Sequence, residues 1–134
     1  MDAIKDYETK HEGRKKFPYK DIKGKITIAI GRNLTDDGLS DDEIDYLFAN
    51  DKKRVIADLI TVFPNWVDLS LNRQMVLFDM RYQCGLHGFL GFHDFIEAVR
   101  SEDWEQAGKE LVDSELFRGF PNREQENLQN ITKG

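Results

Sequence analysis

Side-chain character alternates strictly over Lys25-Ile26-Thr27-Ile28-Ala29-Ile30-Gly31, as in a β-strand with one apolar face. From Pro64 onward, apolar residues recur instead at helical spacing. This combination restricts the chain to an α+β fold, mostly helical, with a small sheet near the N-terminus. The preceding stretch, Phe17-Pro18-Tyr19-Lys20-Asp21-Ile22-Lys23-Gly24, is turn-rich with one strand-like arm. The two arms are expected to pair as a hairpin. Ile26, Ile28 and Ile30 should then face the core, and Thr27, Ala29 and Gly31 an open face that a ligand can approach.

Ala3, Ile4, Tyr7 and His11 predict a helix over residues 3–12, which Gly13 ends. Glu12 would stand at the negative pole of that helix. The pole disfavours a second negative charge and is expected to raise the Glu12 pKa, as a proton donor requires. Glu12 and Asp21 are too far apart in sequence to be neighbours on one helix, but their spacing suits opposite walls of a cleft. Splitting a glycosidic bond needs such a pair, one carboxyl protonated and the other ionised. Taken singly, these residues are ordinary: a Glu beside a helix-ending Gly, an Asp in a turn and a Thr in a strand all have structural explanations.

Ser40 followed by Glu43 reads as a capping box. Ile44, Leu47, Phe48, Val55 and Leu59 continue from it as one apolar stripe, so a helix of ~30 Å is expected over about 41–62. It would join lobes at roughly 1–40 and 64–134 of a single domain. Leu71 to Cys84 is apolar on more than one face, as a buried central helix would be, and Gly85, Gly88 and Gly91 punctuate the next connection. Phe92, Phe95, Ile96 and Val99 mark another helix. Ser101 is expected to cap the next, with Trp104, Ala107, Leu111 and Val112 inward. Pro121 fits the first position of a last helix. Arg123 falls in that helix's first turn, where a cation opposes the dipole and needs a partner carboxylate; Glu12 is the candidate.

Composition removes several function classes. The net charge is −6, and Arg14-Lys15-Lys16 has no longer basic face around it, so nucleic acid is not an expected partner. The imbalance is uneven: residues 1–34 hold nine Lys/Arg against five Asp/Glu, and the remainder ten against twenty, so the expected site region still attracts an anionic polymer. One cysteine, Cys84, gives no internal disulfide and fits a small core residue. Asn33-x-Thr35-x-Asp37-Gly38 resembles the start of a calcium loop, but Ile44 stands where the bidentate Glu is required. His11, His87, His93 and Cys84 fit no zinc spacing. No metal and no cofactor are expected. Trp66 and Trp104 suit core positions. No apolar run approaches ~20 residues, and Met-Asp-Ala-Ile-Lys-Asp lacks the apolar centre of a signal peptide. The expectation is a monomer made in the cytoplasm with no stable membrane association.

A wider set of motifs resembles one family. His11-Glu12-Gly13, Tyr19-Lys20-Asp21, Gly24 and Thr27-Ile28-Ala29-Ile30-Gly31-Arg32-Asn33-Leu34 are similar to the signature of the phage-type lysozymes, the endolysins of glycoside hydrolase family 24. Gly38-Leu39-Ser40, Asn72-Arg73-Gln74 and Met80-Arg81-Tyr82-Gln83-Cys84-Gly85 continue the likeness, followed by Asp103-Trp104-Glu105-Gln106-Ala107, Asp113-Ser114 and Pro121-Asn122-Arg123. The resemblance spans the chain. It implies a lysozyme-like fold: a small N-terminal lobe with a β-hairpin or sheet, a long bridging helix and a helical C-terminal lobe. It also implies a muramidase that cuts the bond between N-acetylmuramic acid and N-acetylglucosamine in bacterial peptidoglycan. Glu12 would protonate the leaving oxygen, while Asp21 and Thr27 hold the attacking water. That is inverting geometry, with carboxyl groups ~6.5–9.5 Å apart. Gly31, Arg32, Tyr82 and Gln83 would meet substrate, and Arg123 would support the catalytic Glu. Such a protein acts in host cell lysis, reaching the wall after a separate membrane lesion. The alternative is a non-catalytic relative that binds glycan or serves as a phage structural protein. One departure stands out: the family strand usually reads Thr-Ile-Gly-x-Gly, and Ala29 replaces the first Gly. Its methyl would crowd a closely approaching sugar, or be harmless in an extended strand.

Overall fold

The computed structural model describes residues 1–134. It is 67% helical, with seven α-helices and one three-stranded antiparallel sheet, a mostly helical α+β architecture consistent with the expected lysozyme-like fold. Contacts divide the chain into a first unit, Met1–Phe48, and a second, Ala49–Gly134.

In the first unit, α1 (Ala3–Glu12) starts where the Asp2 side chain accepts from the Lys5 amide at 3.1 Å, and it ends at Gly13, whose φ is +80°. The expected bounds hold. His11 stacks on Tyr7, with ring centroids 4.4 Å apart. Three strands come next in the order β1 (Lys15–Lys20), β2 (Ile26–Ala29) and β3 (Arg32–Asn33). Tyr19 faces Thr27 and Lys20 faces Ile26, but the next pair is Lys15 with Ala29. Four steps along β1 therefore match two along β2, and Pro18, which has no amide hydrogen for a ladder, sits in the irregular stretch.

The expected isoleucine face is only partly covered, with Ile28 and Ile30 half-buried, and on the opposite face Ala29 is exposed. Ile26 is 46% exposed, whereas Thr27, at 4%, is the only buried residue of the first unit. A sheet this small has too little area to bury a row of isoleucines. Its ladder hydrogen bonds and turn contacts hold it instead.

The helix α2 (Asp41–Val62) begins in the first unit and continues into the second. Its capping box forms as expected: Glu43 accepts from the Ser40 amide at 3.0 Å and from the Ser40 hydroxyl at 2.8 Å. Of the expected stripe, Val55 and Leu59 are buried, joined by Val62, while Ile44, Leu47 and Phe48 are half exposed.

The second unit holds the apolar core. A single 3-10 turn (Trp66–Asp68) leads to α3 (Leu71–Leu90), α4 (His93–Arg100), α5 (Trp104–Val112), α6 (Glu115–Gly119) and α7 (Pro121–Lys133). Leu59, Phe63, Leu77, Met80, Phe89, Leu111 and Ile131 are fully inaccessible, each adding about 1.5–3 kcal/mol on burial. The glycine-punctuated end of α3 breaks at Gly85, with φ +71° and ψ 167°, a conformation open essentially to glycine alone. Asp103, not Ser101, caps α5, because its carboxylate lies three residues before the Gln106 amide it accepts from, while Ser101 ends α4. Trp66 is buried, and Trp104 packs against the core with the Arg73 guanidinium 3.9 Å from its ring centroid. No helix is long and apolar enough to cross a membrane.

The α5–α7 contact depends on a missing side chain. A Cβ on Gly108 would lie 2.6 Å from Thr132 Cγ2 and 3.2 Å from Leu128 Cδ1. The Thr132 hydroxyl donates to the Leu128 carbonyl at 2.7 Å, so that side chain is not free to turn away. Gly108→Ala should therefore lower stability by about 1–3 kcal/mol in chemical denaturation. A neutral or stabilising effect would show that the two helices separate easily.

Candidate active site

Glu12, Asp21 and Thr27 all belong to the first unit, one at a helix end, one in the β1–β2 turn and one in β2. Asp21 organises its turn. Its Oδ1 accepts from the amides of Lys23 at 2.8 Å and Lys25 at 2.9 Å, while its own amide donates to the Lys25 carbonyl at 2.9 Å. The carboxylate is thereby fixed in orientation, with Oδ2 outside these bonds. Thr27 Oγ1 donates to the Lys25 carbonyl at 3.1 Å, so the oxygen is left as an acceptor. This differs from the open hydroxyl face expected of the alternation, because Thr27 is buried between its strand partners Tyr19 and Asn33.

Glu12 packs on the β2–β3 turn. A Cβ on Gly31 would lie 3.0 Å from Glu12 Cδ and 3.1 Å from Oε2. Gly31 is thus a close-approach position for the Glu12 carboxyl, and its φ of +71° independently favours glycine. Ala29, four residues before Asn33, is not in extended backbone: its φ is +61°. It lines an open groove of about 720 Å³ together with Ile28, Leu34, Leu39 and Leu47. An L-residue in this region costs about 1–2 kcal/mol. Ala29→Gly should raise stability by about 0.5–1 kcal/mol after its extra unfolded-state freedom is counted, read as an upward shift in the denaturation midpoint. A loss of stability would mean that the methyl's packing outweighs the strain.

Arg32 is tied down rather than free. Its guanidinium donates to Glu43 at 2.7 Å and to the Gly38 carbonyl at 3.3 Å, joining β3 to the start of α2. The Arg32 hydrogen bond, together with the smaller effect of those from Ser40, holds the Glu43 carboxyl down at about 2, against an ordinary 4.5. A depressed carboxyl stabilises the fold fully above its unfolded pKa and loses that contribution as pH falls through the folded one. This tether should therefore weaken only between about pH 4.5 and 2. Carboxyl carbon shifts in NMR should place the Glu43 midpoint near 2, and Arg32→Ala should move it upward. A midpoint near 4.5 in the unaltered protein would contradict the pairing.

The remaining expected site residues lie in the second unit. Tyr82 donates its hydroxyl to Asp51 at 3.2 Å and packs against Phe78, with ring centroids 5.6 Å apart. Burial, then the Asp51 contact, pushes its pKa up. The carboxylate that Arg123 binds is Asp79 rather than the expected Glu12, through Nε at 3.0 and 3.1 Å and through a second guanidinium nitrogen. Gln83 Nε2 donates to Asp79 at 3.0 Å and to Glu124 at 3.0 Å. Asn127 Nδ2 bridges the same two carboxylates at 2.8 and 3.1 Å. Burial pushes Asp79 up, but the donors from Arg123, Asn127 and Gln83 outweigh it and hold its pKa below the ordinary value. Asp79, Glu124 and Asn127 are not among the residues that the sequence motifs single out. Asp79 lies four residues before Gln83 on α3 and Asn127 three after Glu124 on α7, spacings that put each pair on one helix face.

No family model matches the chain. Probable T4-type lysozyme 2 of Dictyostelium discoideum is 26% identical over 155 residues, covering 92% of this chain and 89% of that protein. Probable T4-type lysozyme 1 of the same organism is 24% identical over 152 residues with the same coverage. The pre-baseplate central spike protein Gp5 of Enterobacteria phage T4 is 31% identical over 103 residues, 73% of this chain but 18% of that protein. The similarity to T4-type lysozymes, which runs over most of the chain, supports the phage-type lysozyme family. The names of these relatives support a lysozyme-type hydrolase.

Proposed function

We propose that the protein is a muramidase of glycoside hydrolase family 24 that cleaves peptidoglycan between N-acetylmuramic acid and N-acetylglucosamine with inversion. Glu12 gives its proton to the leaving glycosidic oxygen as the sugar C–O bond breaks. Water attacks the opposite face of the same carbon, losing a proton to Asp21 while the Thr27 oxygen accepts its other O–H. The observation that supports this reading is the fixing of Asp21: two backbone amides hold Oδ1, and Oδ2 stays outside the turn's hydrogen bonds, as a base would require. The acceptor-only state of Thr27 Oγ1 fits the same task. Gly31, Arg32, Tyr82, Gln83 and Arg123 are proposed as substrate-side and supporting groups. The basic surplus in residues 1–34 favours encounter with an anionic wall. The biological setting proposed is host cell lysis, by a monomer that crosses to the wall through a separate membrane lesion.

A second reading is a non-catalytic glycan-binding or phage structural protein, which the partial similarity to a phage spike protein favours. Clearing of a peptidoglycan suspension separates the two. The purified protein should clear it, and Glu12→Gln and Asp21→Asn should each slow clearing by about 10²-fold or more with the fold intact by circular dichroism. Binding to the wall without clearing, by wild type and variants alike, would replace the enzyme with the second reading.

A further inference from the structure

We infer that Asp79 is a positioning residue that, with Glu124, locks the Gln83 amide so that only its carbonyl oxygen is offered to the glycan. The inference deepens the proposed function and rests on its placing of Gln83 at the substrate. The orientation of a glutamine amide is often ambiguous, because its nitrogen and oxygen look alike. Here chemistry decides it. Both neighbours of the terminal atom, Asp79 Oδ2 and Glu124 Oε1, are carboxylate oxygens at 3.0 Å, and carboxylates accept. The atom between them must be the NH2 group. With both amide protons so directed, the Gln83 oxygen is the end left for a ligand, and Gln83 is only partly buried.

The lock is itself braced. Asn127 Nδ2 spans the same two carboxylates, and Arg123 grips Asp79 through two nitrogens. Glu124 is completely buried, so its oxygens depend on Gln83 and Asn127 for hydrogen bonds. A carbonyl held in this way selects a donor. On an N-acetylated glycan the donors are the acetamido N–H and the sugar hydroxyls, and ring and carbonyl oxygens are disfavoured. Asp79→Asn would replace one acceptor oxygen with a donor, and the Gln83 amide could then turn over and present N–H instead.

Binding tests this apart from turnover. In a Glu12→Gln background, calorimetry with a tetrasaccharide of alternating N-acetylglucosamine and N-acetylmuramic acid should show Kd weakened about threefold to tenfold by Asp79→Asn. Gln83→Ala should weaken it to a similar degree, and the Asp79→Asn/Gln83→Ala combination no further, because the two changes remove one contact. Glu124→Gln serves as the second lock variant should Asp79→Asn fail to fold by circular dichroism, with the same expectation. Unchanged Kd in a folded lock variant, unchanged Kd in Gln83→Ala, multiplicative effects, or no measurable binding in the background protein would each overturn the inference. Clearing by the unaltered protein judges the lytic reading separately: clearing with an unmoved Kd discards the lock alone, and a Kd response without clearing discards the hydrolase alone.

Discussion

Apolar burial is confined to the second unit, and the way each part of the chain is held depends on that. Every buried hydrophobic side chain lies at or beyond Val55. Helices α3, α4, α5 and α7 are fixed around that core by contact area, and Phe63 meets Phe89 edge-on with centroids 6.0 Å apart. The first 48 residues have no such resource. Their order comes from hydrogen bonds with specific geometry: the Asp21 turn, the Thr35 hydroxyl accepting from the Ile26 amide at 2.8 Å, and the Arg32–Glu43–Ser40 cluster at the start of α2.

That division has a chemical consequence. The groups proposed for the reaction sit in the unit whose structure is made of polar contacts, so the contacts that fold the sheet also orient the reactive atoms. Asp21 closes its turn with one oxygen and keeps the other. Thr27 gives its hydrogen to Lys25 and keeps its lone pairs. In the second unit the logic is reversed. A polar cluster of Asp79, Gln83, Arg123, Glu124 and Asn127 stands beside an apolar core, and each member hydrogen-bonds another member.

Long, strongly patterned elements were legible in the sequence. The bounds of α1 and α2 are set by Gly13 and by the Ser40–Glu43 capping box, both local signals whose chemistry does not depend on the rest of the fold. The alternation at residues 25–31 located β2 but not its burial, since periodicity gives the sides of a strand and not how far each is covered: Thr27 is buried, Ile28 and Ile30 are half-buried and Ile26 is exposed. The conformation of Ala29 had only an indirect signal, the glycine that the resembled signature carries there: its φ of +61° belongs to the passage from β2 to β3, and alanine itself does not announce it. The partner of Arg123 was out of reach for a different reason. Asp79 is 44 residues away, and only the packing of α3 and α7 brings the two together.

The central claim is that Glu12 and Asp21 work on opposite faces of one sugar, with water as the direct nucleophile. Proton NMR of freshly released product, recorded before mutarotation, tests this most directly. The account predicts an anomeric configuration opposite to that of the bond cleaved. Retained configuration would require a covalent glycosyl intermediate and would contradict the roles given to Asp21 and Thr27.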